Sequence, residues 1–304
     1  MRDEPATRLE YVIAPRATHS NPSVEGDSQA RDRRAEGARR SLPVWDNRPV
    51  TRVGLLFPGE MGALVGSAVR GEVLWASEGR SEATRRRAEA FTDVGTVREL
   101  VAASEIVISL CPPAIAEDVA AEVAAEGLDG IYVEANAIAP ERARRIGGLL
   151  RCVDGSVIAR TGLNLYLSGD AEDVTAVAAL FPKGEVNAIQ LEGGIGAASA
   201  LKMAFGGWNK IGVALAAQAH AIARAYGVED ALSGEGVESD RVLRAAPKAW
   251  RWAPEMEEVA ATCAALGLPD GIPRGAADLY SRWDAHRDRP AELDRLLDDL
   301  NRKA

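Results

Sequence analysis

The chain is poor in several things that define whole classes of protein. Of its 304 residues only three are cysteine (Cys111, Cys152 and Cys263), with no Cys-x-x-Cys spacing and no histidine placed beside them. A disulfide framework is therefore not expected, and neither is a zinc site or any other metal site. Buried thiols in a reducing compartment are the simpler reading. Basic residues are outnumbered: 36 Lys and Arg face 45 Asp and Glu, a net charge of −9. That argues against a nucleic-acid binder, which uses a basic face, and disfavours a polybasic membrane-surface protein. No apolar run is long enough to span a bilayer, and the N-terminus lacks the apolar stretch of a signal peptide. A cytoplasmic protein of about two domains, with no nucleic-acid or membrane partner, is expected.

Residues 1–49 differ in texture from the rest. The first fifty residues hold nine Arg against eight Asp or Glu, with Ala, Ser and Pro between them and no sustained hydrophobic period. Such a segment cannot bury enough apolar surface to order itself, so it reads as a disordered leader.

From Thr51 onward, strand-like and helix-like segments alternate. Val53–Phe57, Glu72–Ala76, Glu105–Leu110 and Gly130–Glu134 are short, largely apolar runs. Helical stretches separate them: Ala63–Arg70, Ser81–Ala90, a segment after Pro112-Pro113, and one opened by Pro140. This alternation predicts a Rossmann-type, doubly wound α/β domain over residues 50–192, with a mostly parallel sheet. A further strand is expected near Glu185–Leu191. Beyond it the chain reads as all-helical, residues 193–304, beginning with a long apolar helix from Ala197 to Tyr226 that Gly227 can stop. So apolar a helix is expected to be buried, and its length predicts a homodimer formed through the helical half.

The first strand–helix junction carries the strongest chemistry. A dinucleotide fold places G-x-G-x-x-G there, so that backbone can approach a pyrophosphate at a helix start. Here the segment is Phe57-Pro58-Gly59-Glu60-Met61-Gly62: the first glycine is Phe57, and the second and third are kept. At the end of the second strand an NAD site places an acid, to grip the ribose hydroxyls. This chain has Ser77-Glu78-Gly79-Arg80-Ser81 instead. Arg80 and Ser81 suit a 2′-phosphate, so NADP is favoured over NAD, with Ser77 beside them. Glu78 argues the other way.

In their order, VGLLFPGEMG (53–62), VLWASEGRS (73–81), SLCPP (109–113) and YVEANAIAP (132–140) resemble the 6-phosphogluconate dehydrogenase-type NAD-binding domain of the β-hydroxyacid dehydrogenase superfamily. APKAWRWAPEMEEVAATCAALGLPD (246–270) resembles the helical domain of unknown function carried by one branch of it. The resemblance implies cofactor contacts for Cys111, Pro112, Pro113 and Asn136, all near the nicotinamide. It also implies a catalytic lysine. Gly196 to Lys202 matches the family's G-x-x-x-x-x-K, and Lys202 is the first cation of the long helix. The family's asparagines three and four positions later are Phe205 and Gly206 here, and Asn209 is the nearest candidate to replace them. Asp154-Gly155-Ser156-Val157 fits the start of the family's substrate loop, but Ile158-Ala159-Arg160 departs from the rest, and the loop reads as shortened. Trp250 and Trp252 beside Pro254-Glu255-Met256-Glu257-Glu258 read either as a pocket wall or as helix packing with a solvated acidic face. The implied function is an NADP-dependent oxidoreductase acting on a small carbonyl or imine compound. The alternative is a catalytically inactive nucleotide-binding or interaction module.

Overall fold

A computed structural model of the chain describes residues 50–182 and 184–301; the leader expected over 1–49 lies outside them. The apolar run Arg52–Leu56 forms β1, of which four residues are buried. Glu60–Ser67 follows as α1, Glu72–Trp75 as β2 and Glu82–Arg87 as α2, whose Ser81 side chain accepts the Thr84 amide. Next come a two-residue strand, Thr92–Asp93 (β3), and α3, Val97–Ala103, opened by a Thr96/Glu99 capping box. Ile106–Ser109 (β4), Ala116–Ala125 (α4), Ile131–Glu134 (β5) and Pro140–Gly147 (α5) continue the alternation. Proline opens α5 at a position whose amide needs no helical partner.

The sheet order is β3-β2-β1-β4-β5-β6-β7-β8, where β6 is Cys152–Ala159, β7 Leu163–Gly169 and β8 Val186–Gln190. Strands β1 to β6 run parallel; β7 turns back antiparallel on β6, and β8 runs parallel to β7. This is the expected doubly wound, mostly parallel sheet. The segment expected as a shortened substrate loop is instead the body of β6. Its alternation is hidden because seven of its eight residues are buried, as in a strand covered on both faces. Val53, Leu55, Ile108, Val133, Leu165 and Leu167 pack one face with Val174 and Val177 of α6 (Ala171–Ala178). Leu56, Val107, Tyr132 and Cys152 pack the other with α3, α4 and α5.

The long helix runs from Ala197 to Tyr226 (α7) and stops at Gly227, in the left-handed conformation. Around it lie Glu229–Gly234 (α8), Asp240–Ala245 (α9), Ala249–Ala265 (α10), Gly271–Ser281 (α11) and Leu293–Leu300 (α12). Their core joins Met203, Ala217, Met256, Tyr280, Trp283 and Leu296. Trp252, Tyr280 and Trp283 stack edge to face, and the Trp283 indole donates to the Leu296 carbonyl at 3.0 Å. The expectation that α7 is buried all round does not hold within one chain. Trp208, Leu215, Ile222 and Tyr226 stand exposed, because the surrounding helices cover only part of its circumference.

One carboxylate joins the two halves. Asp154, in the middle of β6, is fully buried. Its Oδ2 accepts the backbone amides of Gly196 (2.9 Å) and Ser199 (3.0 Å) and the Ser168 hydroxyl (3.2 Å); its Oδ1 accepts the Ser199 hydroxyl at 2.6 Å. The carboxylate thus caps the first turn of α7, where free amides and the helix dipole favour a negative charge. Burial raises its pKa, and these donors reverse only part of that rise. Replacing Asp154 by alanine leaves buried donors unpaired. It is expected to cost at least about 3 kcal/mol of stability, read by urea denaturation. A loss below about 1 kcal/mol would show that the helix start is held by other means.

Candidate active site

The carboxyl ends of the parallel strands open toward α7 and α10, and a cavity of about 690 Å³ lies there. Its first wall is the turn after β1. Phe57 occupies a left-handed conformation (φ 62°), one that a glycine adopts without cost. The fold has therefore kept the backbone of the glycine motif while changing the residue. A Cβ on Gly62 would lie 2.6 Å from the Phe57 carbonyl oxygen, so the third glycine is required by contact. The Arg80 guanidinium stacks on the Phe57 ring, 3.7 Å from its centroid, and its Nε is buried without a partner. Burial lowers the Arg80 pKa. Ser81, Thr84 and Arg87 complete this end of the cavity.

The floor is Cys111, Pro112 and Pro113 from the turn after β4, Asn136 after β5, and Ser156 and Val157 of β6. Asn136 and Ser156 are almost wholly buried, yet Asn136 Oδ1 and Ser156 Oγ have no hydrogen-bond partner. Buried polar atoms are seldom left unpaired, so two on one cavity floor mark a place where a ligand completes the bonding. The Asn136 amide donates to Ser109 Oγ at 3.3 Å, which fixes which end faces the cavity. Cys111 is inert: burial pushes its thiol up to about 12.

Lys202 enters from α7, about one turn past the Asp154 anchor. Its Nζ donates to the Val157 carbonyl at 2.7 Å, which leaves two of its three protons for the cavity. Burial lowers its pKa; Glu255 opposes this and Lys210 adds to it. The far wall is α10, with Trp250, Arg251, Pro254 and Glu255. Arg251 reaches back to Glu60 of the glycine turn at 3.0 Å. Deeper in, Glu258 accepts the Ala139 amide at 2.8 Å and pairs with Arg142, which clamps α10 to the start of α5.

The structure therefore gathers Phe57, Gly59, Glu60, Met61, Gly62, Arg80, Ser81, Cys111, Pro112, Pro113, Asn136 and Lys202 around one space. Three expected residues lie elsewhere. Pro58 is buried under the turn. Ser77 is buried outside the wall, its carbonyl held by Arg85 at 2.8 Å. Asn209 is two turns beyond Lys202, and its side-chain oxygen accepts from Arg241 at 3.3 Å. It shares a helical face with Lys202 but stands about 10 Å further along the axis. Glu78 is exposed away from the wall, and Arg160 is exposed over the Trp208 ring. Sequence reasoning missed Thr84, Arg87 and Arg251 as wall residues, and named Ser156 only within the substrate-loop motif. It flagged Trp250 and Glu255 only within an aromatic–acid cluster, whose other members pack (Trp252) or clamp (Glu258).

Residues 223–283 match a domain of unknown function, DUF1932. No curated protein matches the sequence. Among solved structures, a conserved protein of unknown function, MTH1747, described as structurally similar to 3-hydroxyacid dehydrogenases, is 24% identical. That match covers 77% of this chain and 97% of that one, with a TM-score of 0.59. A conserved hypothetical protein from Sinorhizobium meliloti is 20% identical over 84% of this chain and 98% of its own (TM-score 0.63). Mycobacterium tuberculosis 3-hydroxyisobutyrate dehydrogenase, solved with L-serine, is 17% identical over 84% and 100% (TM-score 0.61). The fold is that of the 3-hydroxyacid dehydrogenase-like proteins, a Rossmann-type sheet followed by a helical region, as the motifs led one to expect.

Beneath the floor, Glu134 is fully buried at the end of β5. Its Oε1 accepts the Asn136 amide at 3.0 Å, but burial dominates and raises its pKa to about 8. In an unfolded chain the value is about 4.3. The native state thus holds a proton that the unfolded chain has lost, and Glu134's contribution to stability falls as pH rises from about 4.3 to about 8. Glu134→Gln should remove this slope. Urea denaturation at pH 5 and pH 8 is expected to differ by at least about 2 kcal/mol less in the variant than in the parent. An equal difference in both would place the proton elsewhere.

Proposed function

We propose that the protein is an NADP-dependent oxidoreductase that reduces a small carbonyl or imine compound, or oxidises its reduced form. The observation that carries this is the sharing of one cavity by the glycine turn, the unpaired Asn136 Oδ1 and Ser156 Oγ, and Lys202. The residues fit a nicotinamide dinucleotide. The turn at Phe57–Gly62 and the start of α1 suit a pyrophosphate. Asn136 Oδ1 is an acceptor suited to a carboxamide N–H. Arg80, Arg87, Ser81 and Thr84 suit a 2′-phosphate; the nearest lining carboxylate, Glu60, is paired with Arg251.

Bound there, the cofactor would supply the hydride. The chain's part is to hold the substrate and move a proton. Lys202 Nζ, anchored on the Val157 carbonyl, points its remaining N–H bonds at the cavity. In the ammonium form it protonates the oxygen or nitrogen of the substrate, and its lowered pKa brings that transfer nearer neutral pH. Ser156 Oγ is placed to hydrogen-bond a polar group of the substrate. α10 walls the side opposite the sheet.

A second reading has its own observation. Phe57 replaces a glycine where cofactor backbone contacts are made, and its ring is already stacked by Arg80. That suits a nucleotide-binding module without turnover. The apolar groove between α7 and α11, with Leu215, Ile222, Tyr226 and Ile272 exposed along it, supports assembly as a homodimer through the helical half.

Isothermal titration should show NADPH binding more tightly than NADH, and Arg80→Ala should weaken NADPH alone, by roughly tenfold. A wild type that prefers NADH removes the NADP assignment. Among carbonyl and imine compounds screened for NADPH oxidation, Lys202→Met should cut turnover of any substrate found by about 10²–10⁴-fold, with NADPH affinity unchanged. Normal turnover in that variant removes Lys202 from the chemistry. Tight NADPH binding with no turnover across the screen favours the binding module.

A further inference from the structure

Lys202, Gly206 and Lys210 are spaced by four along α7 and so form one stripe. Between the two lysines the stripe has a gap, since Gly206 carries no side chain. Glu255 of α10 fills it: a Cβ on Gly206 would lie 2.7 Å from Glu255 Oε1. The same oxygen is paired with Lys210 Nζ, and both side chains are largely buried. Lys210 is held in turn, with its ammonium 5.5 Å from the Trp252 ring and its carbonyl accepting the Tyr280 hydroxyl at 2.6 Å. Glu255 also lines the cavity beside Lys202. The position that resemblance to the superfamily would fill with an amide from α7 itself is thus taken by a carboxylate from another helix.

We propose that Glu255 is the positioning residue for Lys202, inserted at Gly206 between two lysines so that the Lys202 ammonium is held toward the cavity. This rests on the reading of Lys202 as the proton donor. The charged groups that face Lys202 are few. α10 contributes Glu255 and α7 contributes Lys210; β6 offers only the Val157 carbonyl and Ser156 hydroxyl, and the turn after β5 the neutral Asn136. Lys210 cancels part of the carboxylate's pull. Lys202 therefore keeps a lowered pKa, but not as low as burial beside Lys210 alone would make it. Glu255 sets the balance: it keeps Lys202 protonated enough to act as an acid, and the paired Lys210 keeps it from holding the proton too firmly.

The test reads Lys202 directly and needs no substrate. The full-length protein is treated with trace acetic anhydride across pH 6–11, and acetylation of Lys202 is quantified by mass spectrometry, with exposed Lys248 as internal reference. The midpoint of the profile, rather than its plateau, reports the ammonium's affinity for its proton. Glu255→Gln should lower that midpoint, so that Lys202 below its midpoint reacts about 3- to 10-fold faster at fixed pH. Glu255→Asp, which keeps the charge, should stay closer to the parent. Gly206→Ala leaves Glu255 in place but displaces its carboxylate, and should lower the midpoint in the same direction. A purely structural Glu255–Lys210 pair would change the melting temperature and leave the midpoint alone. A folded Glu255→Gln with an unmoved or raised midpoint overturns the proposal. If that variant does not fold, Gly206→Ala decides by the same criterion. Normal turnover in Lys202→Met would defeat the proton-donor reading without altering this result, so the two failures are distinguishable.

Discussion

The placement of Lys202 in the cavity depends on the Asp154 carboxylate, which fixes the start of its helix. It sits in the middle of a buried strand and accepts two backbone amides and two hydroxyls, three of these four donors from the start of α7 or its cap. Ionic hydrogen bonds contribute more than neutral ones, and their loss leaves unpaired buried groups. They oppose the desolvation of a fully buried carboxylate without cancelling it, and its pKa stays raised. With the first turn pinned, the rise and rotation of the helix dictate where Lys202 emerges. Three residues past Ser199 is about 4.5 Å along the axis, and that brings Nζ to the Val157 carbonyl on the same strand as Asp154. Strand β6 therefore holds the helix with one side chain and the helix's lysine with its backbone.

The cavity walls differ in kind. The glycine-turn wall is backbone amides and a stacked Arg80–Phe57 pair. The floor is uncharged, with Asn136 and Ser156 set among apolar side chains. The α10 wall brings charge, and brings it already partnered: Glu255 with Lys210, Glu258 with Arg142, Arg251 with Glu60. The Arg251–Glu60 pair is half-exposed and worth little by itself. The Glu258 contacts are more buried and seat α10 firmly on the end of α5. A helix distant in sequence thus completes a site whose other parts come from strand ends, as doubly wound sheets arrange their ligands.

Much of this was legible in the sequence. The alternation of strands and helices, the junction at Phe57–Gly62 and both limits of α7 follow from local signals: short apolar runs, punctuating glycines and an uninterrupted apolar helix. What was hidden depends on pairing across distance. Strand β6 has no polar–apolar alternation because both its faces are covered, so its motif looked like a loop. Glu255 lies 53 residues past Lys202, and no local period links them. The one trace of Glu255's insertion is Gly206, midway between Lys202 and Lys210. Asn209 was chosen on angular position around the helix; the structure shows that distance along the axis matters as much. Ser77 lies two residues past the end of β2 in a continuously buried stretch, with its carbonyl taken by Arg85.

The pinned start of α7 has a mechanical meaning. A 30-residue helix is about 45 Å long, and this one is gripped at one end by a carboxylate with left-handed glycines on either side of its span. Treated as a rigid rod turning about Gly196, the helix moves unequally at its two ends. A tilt of about 5° about that point carries the Tyr226 end through about 4 Å, while Lys202, roughly 9 Å from it, moves less than 1 Å. Displacement of the far end of such a rod is geared down before it reaches Lys202.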